Sequence, residues 1–333
     1  MNDVVIIGTG KIGSRHLQAM ANLKTESNIH VVDLNDRSLN DALELFNQMD
    51  LNPFIKSINS YTNLSNLKCK IIDLAIIATT ANTRKKVIEE LVSIRKVKAM
   101  VLEKILFQKI EDYTLVENLI KKHEIKTWVN CPRRMWKVYS TLKVALKDSK
   151  SLDISVIGND WSVATSSVHF LDLISYLSNK VKYQITKIDI DELVSAYSSV
   201  TGSRESEFIE FYGTLSGYFD ELTRFRFTCL KNSDIPFVIN IVSDRATYQI
   251  IEEYGKIVIG ELVEGTWEYN SEKFETNYQS NLSNIFTYNI LTSGQTNLTS
   301  FQESSLIHQP YLKALMLSLS EISDLDYDYC PIT

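Results

Sequence analysis

Four cysteines in 333 residues, Cys69, Cys131, Cys229 and Cys330, stand far apart and form no C-x-x-C pair. That scarcity speaks against a disulfide framework and a structural zinc site, and no metal site is expected. Long hydrophobic runs are missing too: no stretch approaches the ~20 apolar residues that cross a bilayer. The opening MNDVVIIGTG carries neither the basic stretch nor the small-residue cleavage site of a secretory signal. A cytoplasmic protein with no membrane partner is therefore expected. Basic runs are scarce as well. The formal net charge is −6, and the Lys/Arg-rich stretch Lys85–Lys98 is interrupted by Glu89 and Glu90. It reads as a solvated helix face, and a sequence-independent grip on nucleic acid is not expected.

What is present is a soluble composition, 44% hydrophobic and 23% charged, in a chain long enough for one large domain or two ordinary ones. The first third alternates short β-branched runs with amphipathic stretches. Strands are expected at Asp3–Ile7, Ile29–Asp33, Ile72–Ala78, Ala99–Leu102 and Lys126–Val129. Helices are expected at Ile12–Leu23, Arg37–Met49, Thr83–Arg95 and Ile110–His123. Runs such as IDLAIIA, apolar on both faces, belong in a parallel sheet covered on both sides.

The pattern changes after Asn130. Helices at Met135–Lys147 and over VATSSVHFLDLISYL flank a strand at Leu152–Ile157, and Tyr183–Ile190 reads as another strand. From Glu207 to about Tyr269 come closely spaced runs rich in Phe, Tyr, Ile, Val and Thr, such as LTRFRFTCL and PFVINIV. These suit a large sheet, mainly antiparallel. Residues 271–300, rich in Asn, Ser and Thr, read as a long loop, and Glu303–Leu319 as a final helix. The expected fold is an α/β Rossmann domain over residues 1–130, then an α+β domain with a large, mainly antiparallel open sheet over residues 131–333.

Chemistry enters at GTGKIG, where Gly8, Gly10 and Gly13 take the G-x-G-x-x-G spacing between the strand VVII and the helix IGSRHLQAM. Gly8 permits the tight turn, Gly10 lets the backbone approach a pyrophosphate, and Gly13 allows close packing of helix on strand. The intervening Thr9, Lys11 and Ile12 complete the turn, and the helix N-terminus offers unpaired N–H groups to the phosphates. Asp33, at the end of the second strand, is placed to accept the ribose hydroxyls and to repel a 2′-phosphate. NAD is expected rather than NADP, although Arg37 is near enough to receive a phosphate. A glycine turn without cofactor is the alternative.

The stretch VATSSVHFLDL raises a second question. His169 and Asp172, three residues apart, share a helix face. Either the histidine is catalytic, or it is a core residue satisfied by a nearby carboxylate.

Taken together, these segments resemble the glucose-fructose oxidoreductase/inositol dehydrogenase (Gfo/Idh/MocA) family. GTGKIGSRHL is similar to that family's first turn, including Arg15 and His16. IDLAIIATTANTR is similar to its fourth strand and the loop after it, VLEKIL to its E-K-P segment, VNCPRRMWKVY to its sixth strand, and SVHFLDLISYL to its H-x-x-D helix. Beyond that helix only the strand-rich character agrees. The resemblance implies that Ala78, Thr79, Thr80, Glu103 and Lys104 join the turn residues at the cofactor. It implies that Lys104 binds the reacting oxygen and His169 exchanges its proton. Both roles suit the chemistry, because imidazole titrates near neutrality and an ammonium stabilises an alkoxide-like charge. The implied activity is hydride transfer between NAD and a secondary alcohol or ketone of a sugar, amino sugar or sugar nucleotide, in a homodimer or homotetramer built on the second sheet. A non-catalytic NAD-binding regulator and an NAD-dependent glycosidase-type enzyme are the alternatives.

The departures from the family pattern are specific. Thr165 stands where an Asp is frequent, Ser167 where Gly is, Ile105 in place of the E-K-P proline, Thr80 for a proline and Arg84 for a histidine. Thr165 and Asp172 are expected to line the substrate site, with Asp172 either orienting His169 or tying its helix to a neighbour. Arg133 and Arg134 either bind a substrate carboxylate or phosphate as a fork, or form interdomain ion pairs. Tyr139 and Trp161 either pack on a sugar ring or belong to the core.

Overall fold

Short runs of β-branched residues buried on both faces can only sit inside a covered sheet, and the first half of the chain builds one. The protein is described by a computed structural model over residues 1–50, 52–195, 208–323 and 326–333. In chain order it forms β1 (Asn2–Ile7), α1 (Lys11–Met20), β2 (Ser27–Val32), α2 (Asp36–Asn47) and β3 (Ile55–Tyr61). Next come β4 (Ile71–Ile72), β5 (Leu74–Ile77), α3 (Ala81–Ile94), β6 (Lys96–Val97), β7 (Ala99–Leu102), α4 (Ile110–Lys122) and β8 (Lys126–Val129). The sheet order is β8-β7-β5-β1-β2-β3, all parallel, with β4 and β6 forming a separate two-stranded ladder. Val5, Ile7, Ala75, Ile77, Met100 and Leu102 face one core, and Val4, Ile6, Ile29, Val31, Ile76 and Val101 the other.

The second half opens with α5 (Lys137–Ala145), β9 (Leu152–Asn159) and α6 (Val163–Ser178). There follow β10 (Gln184–Ser195), β11 (Ile209–Asp220), β12 (Thr223–Leu230), β13 (Val238–Ser243), β14 (Ala246–Ile251), β15 (Lys256–Val263) and β16 (Thr266–Lys273). The start of the expected strand series, at Glu207, lies outside the described residues. The eight strands run β10-β11-β12-β9-β13-β14-β15-β16, antiparallel except for the β12–β9 pair. One face carries the aromatic core, with Phe211, Phe225 and Phe227 packed beside Phe170 of α6. The other face is polar: Thr186 meets Ser216, Thr214 meets Thr228, and Asn240 meets Ser155 and Gln249.

One expectation fails outright. Residues 271–300 are not a long loop: they complete β16 and form α7 (Gln279–Ser293) and β17 (Thr299–Ser300). Leu282, Phe286 and Ile290 recur at helical spacing, and they bury against the first sheet and α1. Tertiary burial of that stripe outweighs the weak helix propensity of the surrounding Asn, Ser and Thr. β17 adds an antiparallel edge to β8, so the chain returns to the first sheet before α8 (Phe301–Ser323).

α8 carries His308, fully buried, with Nδ1 2.8 Å from the Ser304 carbonyl and Nε2 without a partner among the described residues. Burial lowers its pKa to about 4. The unfolded chain takes up a proton near the ordinary value of 6.5 that the folded protein refuses until about pH 4, so stability falls across that window on acidification. Urea unfolding of His308→Gln should show a shallower loss of stability between those pH values than the wild type, by about 2–3 kcal/mol. Parallel curves would show that His308 does not carry the effect.

Candidate functional site

The crevice begins where β1 ends. Gly8 has φ +88°, and a Cβ there would lie 2.9 Å from the Ala78 carbonyl. At Gly13 a Cβ would fall 1.7 Å from the Gly8 carbonyl oxygen, so α1 can approach the turn only without a side chain at that position. Gly10 is the N-cap of α1 and no side chain caps the helix. Asp33, half-buried at the end of β2, accepts from the Thr9 N–H at 2.6 Å, from the Thr9 hydroxyl at 2.9 Å and from the Asn35 N–H at 2.8 Å. The acid therefore braces the glycine turn as well as standing beside it. Arg37 is exposed on the first turn of α2.

Across the crevice, Ala78 and Thr79 follow β5. Thr80 is the N-cap of α3, its hydroxyl 2.6 Å from Asn82 Oδ1, and the Thr79 hydroxyl is buried without a partner among the described residues. A turn without room for side chains, an uncapped helix start, an acid at the second strand and an orphaned hydroxyl are together a fit for a dinucleotide. Lys11 and Ile12 are exposed at the start of α1.

Glu103 does not stand open to the crevice. It is buried, 2.8 Å from His16 Nε2 of α1, and it accepts from Asn130. Asn130 donates on to Gln279 at 2.8 Å, Gln279 donates to the Ser283 hydroxyl, and that hydroxyl lies 2.7 Å from His16 Nδ1. This closed ring ties α1, β7, β8 and α7 together and places the next residue, Lys104, at the carboxyl end of β7. Gln279 and Ser283 lay in the stretch read as loop, so no sequence signal pointed to them.

Lys104 Nζ donates to the Thr165 carbonyl at 3.0 Å, in the first turn of α6. The following residue is fixed by Arg84, which is fully buried on α3 and donates to the carbonyls of Thr79, Ile105 and Leu106. One turn beyond Thr165 stands His169. Its Nδ1 is buried and unpartnered among the described residues. Burial, with the Lys104 ammonium and the Arg133 guanidinium close by, holds the imidazole pKa well below 6.5. His169 lines a cavity of about 300 Å³ with Ser166, Trp161, Phe170, Phe237, Arg133 and Glu252. Trp161, half-buried, donates its indole N–H to the Thr228 carbonyl.

The two arginines after β8 are both engaged. Arg133 grips Glu252 as a fork at 2.8 and 2.7 Å, lies 4.3 Å from the centre of the Phe170 ring, and shares Glu252 with the buried Tyr139 hydroxyl. Arg134 grips Asp172 at 2.7 and 2.8 Å and reaches Glu303 of α8 at 2.7 Å, while the Thr299 hydroxyl donates to Asp172. Burial alone would depress the Arg134 guanidinium, and the Asp172 and Glu303 carboxylates more than reverse it. Asp172 thus faces Arg134 and does not bond to His169. Glu252, Glu303 and Glu210 were not singled out in the sequence, where each lies far from the residues it bonds.

Residues 2–131 match the family model described as the oxidoreductase family, NAD-binding Rossmann fold. That model is the Gfo/Idh/MocA one, and the stretch it matches is the parallel-sheet part of the chain. UDP-N-acetylglucosamine 3-dehydrogenase of Acidithiobacillus ferrooxidans shares the fold at a TM-score of 0.71 and 14% identity, over 93% of this chain and 95% of that one. A super-repressor mutant of Gal80p from Saccharomyces cerevisiae aligns at a TM-score of 0.71 and 12% identity, over 97% and 96%. An oxidoreductase of Agrobacterium radiobacter in complex with NAD⁺, L-tartaric acid and magnesium aligns at 0.66 and 14% identity, over 93% and 94%. Comparison with curated proteins gives no match.

The Arg134–Asp172 pair makes a direct prediction. Breaking a buried pair from one side leaves an uncompensated charge, so Arg134→Met or Asp172→Leu alone should cost about 3–5 kcal/mol in urea unfolding. The double variant should cost clearly less than the sum of the two. Additive losses would show that the pair is not coupled.

Proposed function

We propose that this protein is an NAD-dependent oxidoreductase that moves a hydride between the nicotinamide and a secondary alcohol or ketone of a sugar, amino sugar or sugar nucleotide, through a hydroxyl-rich part that carries no charge where it meets the cavity. The observation that carries this reading is the convergence of Lys104 and His169, one from each half of the chain, beside a cavity at the carboxyl end of the parallel sheet. Ligands of open α/β sheets bind at that end. A fold shared with both a dehydrogenase and Gal80p does not choose between catalysis and regulation. The paired ionisable groups favour catalysis.

Gly8 to Gly13 and Asp33 would hold the dinucleotide, with Thr79 and Thr80 on the opposite wall. When bound, NAD supplies the ring that accepts or delivers the hydride. Lys104 holds the substrate oxygen and stabilises the negative charge that develops on it. His169, kept neutral by its surroundings, takes the hydroxyl proton in oxidation and returns it in reduction. Trp161 and Phe237 offer apolar rings to a sugar face. Arg133 is already neutralised by Glu252, so it serves as a wall and a hydroxyl-binding edge and does not supply a free charge for a phosphate or carboxylate. A second copy covering the polar face of the eight-stranded sheet completes the proposal, and light scattering reads it directly.

NADH fluorescence titration should give micromolar binding, and Lys104→Ala should keep that binding while turnover on a panel of polyols, amino sugars and sugar nucleotides falls about a hundredfold or more. A wild-type protein that binds no nicotinamide nucleotide would sink the reading at its first step. Tight binding without turnover across the panel would favour the regulator. Asp33 sets the cofactor choice: NADH should bind at least about tenfold more tightly than NADPH, and Asp33→Asn should narrow that ratio by removing the repulsion of a 2′-phosphate. An unchanged ratio would mean that Asp33 only braces the turn.

A further inference from the structure

The first turn of α6 lacks a cap of its own. Its N-cap, Ser162, is left-handed at φ 60° and makes no capping bond. The capping group comes from a different element: Glu210 of β11 accepts from the Ala164 N–H at 2.8 Å, from the Thr165 N–H at 2.9 Å and from the Thr165 hydroxyl at 2.5 Å. Burial raises the Glu210 pKa above the ordinary carboxylate value, and the three donors, the positive end of the helix and the Lys104 ammonium pull against that rise. The carbonyl of that same Thr165 receives the Lys104 ammonium.

We propose that Glu210 is a positioning residue for Lys104: it fixes Thr165, whose carbonyl receives the ammonium, and its carboxylate shares with Glu103 the balancing of that lysine's charge. The groups whose charges act on Lys104 are Glu103, Glu210, Cys131 and Arg84, and Lys104 in turn acts on His169 and His308. Glu103 is engaged by His16 and Asn130. Burial pushes the Cys131 thiol far up, so it is uncharged at neutral pH. Arg84 adds positive charge. Glu103 and Glu210 are thus the two acids that balance a lysine whose burial pulls its pKa below 10.5, and Glu210 is the one that also holds the residue receiving the ammonium. Burial and the cationic Lys104 and Arg133 depress the His169 pKa, and Glu210 is not among the groups acting on it. The carboxylate absent at Thr165 is in effect delivered to Thr165 from β11.

The catalytic meaning of this arrangement rests on Lys104 standing at the reacting oxygen, but its test needs no turnover. Competitive acetylation of the full chain across pH, read by mass spectrometry on the peptide holding Lys104, gives that lysine's titration. In Glu210→Gln the Lys104 midpoint should fall by about one pH unit, giving about tenfold more free amine below both midpoints. Glu210→Asp should recover most of the shift. Lys85 and Lys98, paired with Asp112 and Asp73, serve as internal references that should not move. A Lys104 midpoint in Glu210→Gln that coincides with the wild type overturns the proposal.

If Glu210→Gln does not fold, the reciprocal variant decides. Lys104→Met must raise the Glu210 titration by the same amount, read from the carboxyl carbon shift in glutamate-labelled protein and assigned with Glu210→Asp. An unmoved Glu210 resonance overturns the proposal equally. Failure of NADH to bind the wild-type protein would instead overturn the oxidoreductase reading and leave both titrations standing.

Discussion

The geometry of the site depends on two consecutive arginines. Arg133 and Arg134 leave the last parallel strand and each closes on a carboxylate of the second half, Glu252 after β14 and Asp172 on α6. A planar guanidinium gripping a carboxylate through two bonds fixes orientation as well as distance. Because Asp172 lies one turn after His169, the Arg134 fork sets where the His169 helix meets the parallel sheet. Glu303 and Thr299 extend that anchor to α8 and β17. Such a pair contributes little net stability over apolar packing of equal volume. Its use here is register: it holds the imidazole opposite a lysine carried by a different sheet.

The same arrangement explains the charge pattern of the pocket. Burial, and then the Lys104 and Arg133 cations beside it, keep the His169 ring in its neutral form. The arginines that could otherwise capture an anion are occupied by their own acids. The cavity is therefore lined by the aromatic rings of Trp161, Phe170 and Phe237, a neutral imidazole and an arginine already paired with Glu252, and under the proposed function it takes the hydroxyl-rich part of the substrate.

Much of this was legible in the chain. The apolar strands, the glycine spacing and Asp33 each have a local signature and appear where the pattern put them, except that the run expected as one strand at Ile72–Ala78 breaks at Asp73, with Ile72 in the separate two-stranded ladder. Legibility stopped where partners are far apart in sequence. His169 and Asp172 were rightly placed on one helix, yet the carboxylate turns to Arg134, a contact spanning 38 residues. Helix α7 was hidden because its burying residues, Leu282, Phe286 and Ile290, are diluted among Asn, Ser and Thr. Glu210 was invisible for the same reason: an acid in an alternating strand looks solvated until a helix end is packed against it.

The central claim is that Lys104 and His169 face one reacting carbon across the crevice that Gly8, Gly10, Gly13 and Asp33 open. A crystal structure with NADH bound tests it most directly. The account predicts the adenosine ribose on Asp33 and the nicotinamide C4 turned toward Lys104 and His169, with room for a ligand against Trp161. A nicotinamide ring lying away from both residues, or with its C4 covered by the protein, would contradict it.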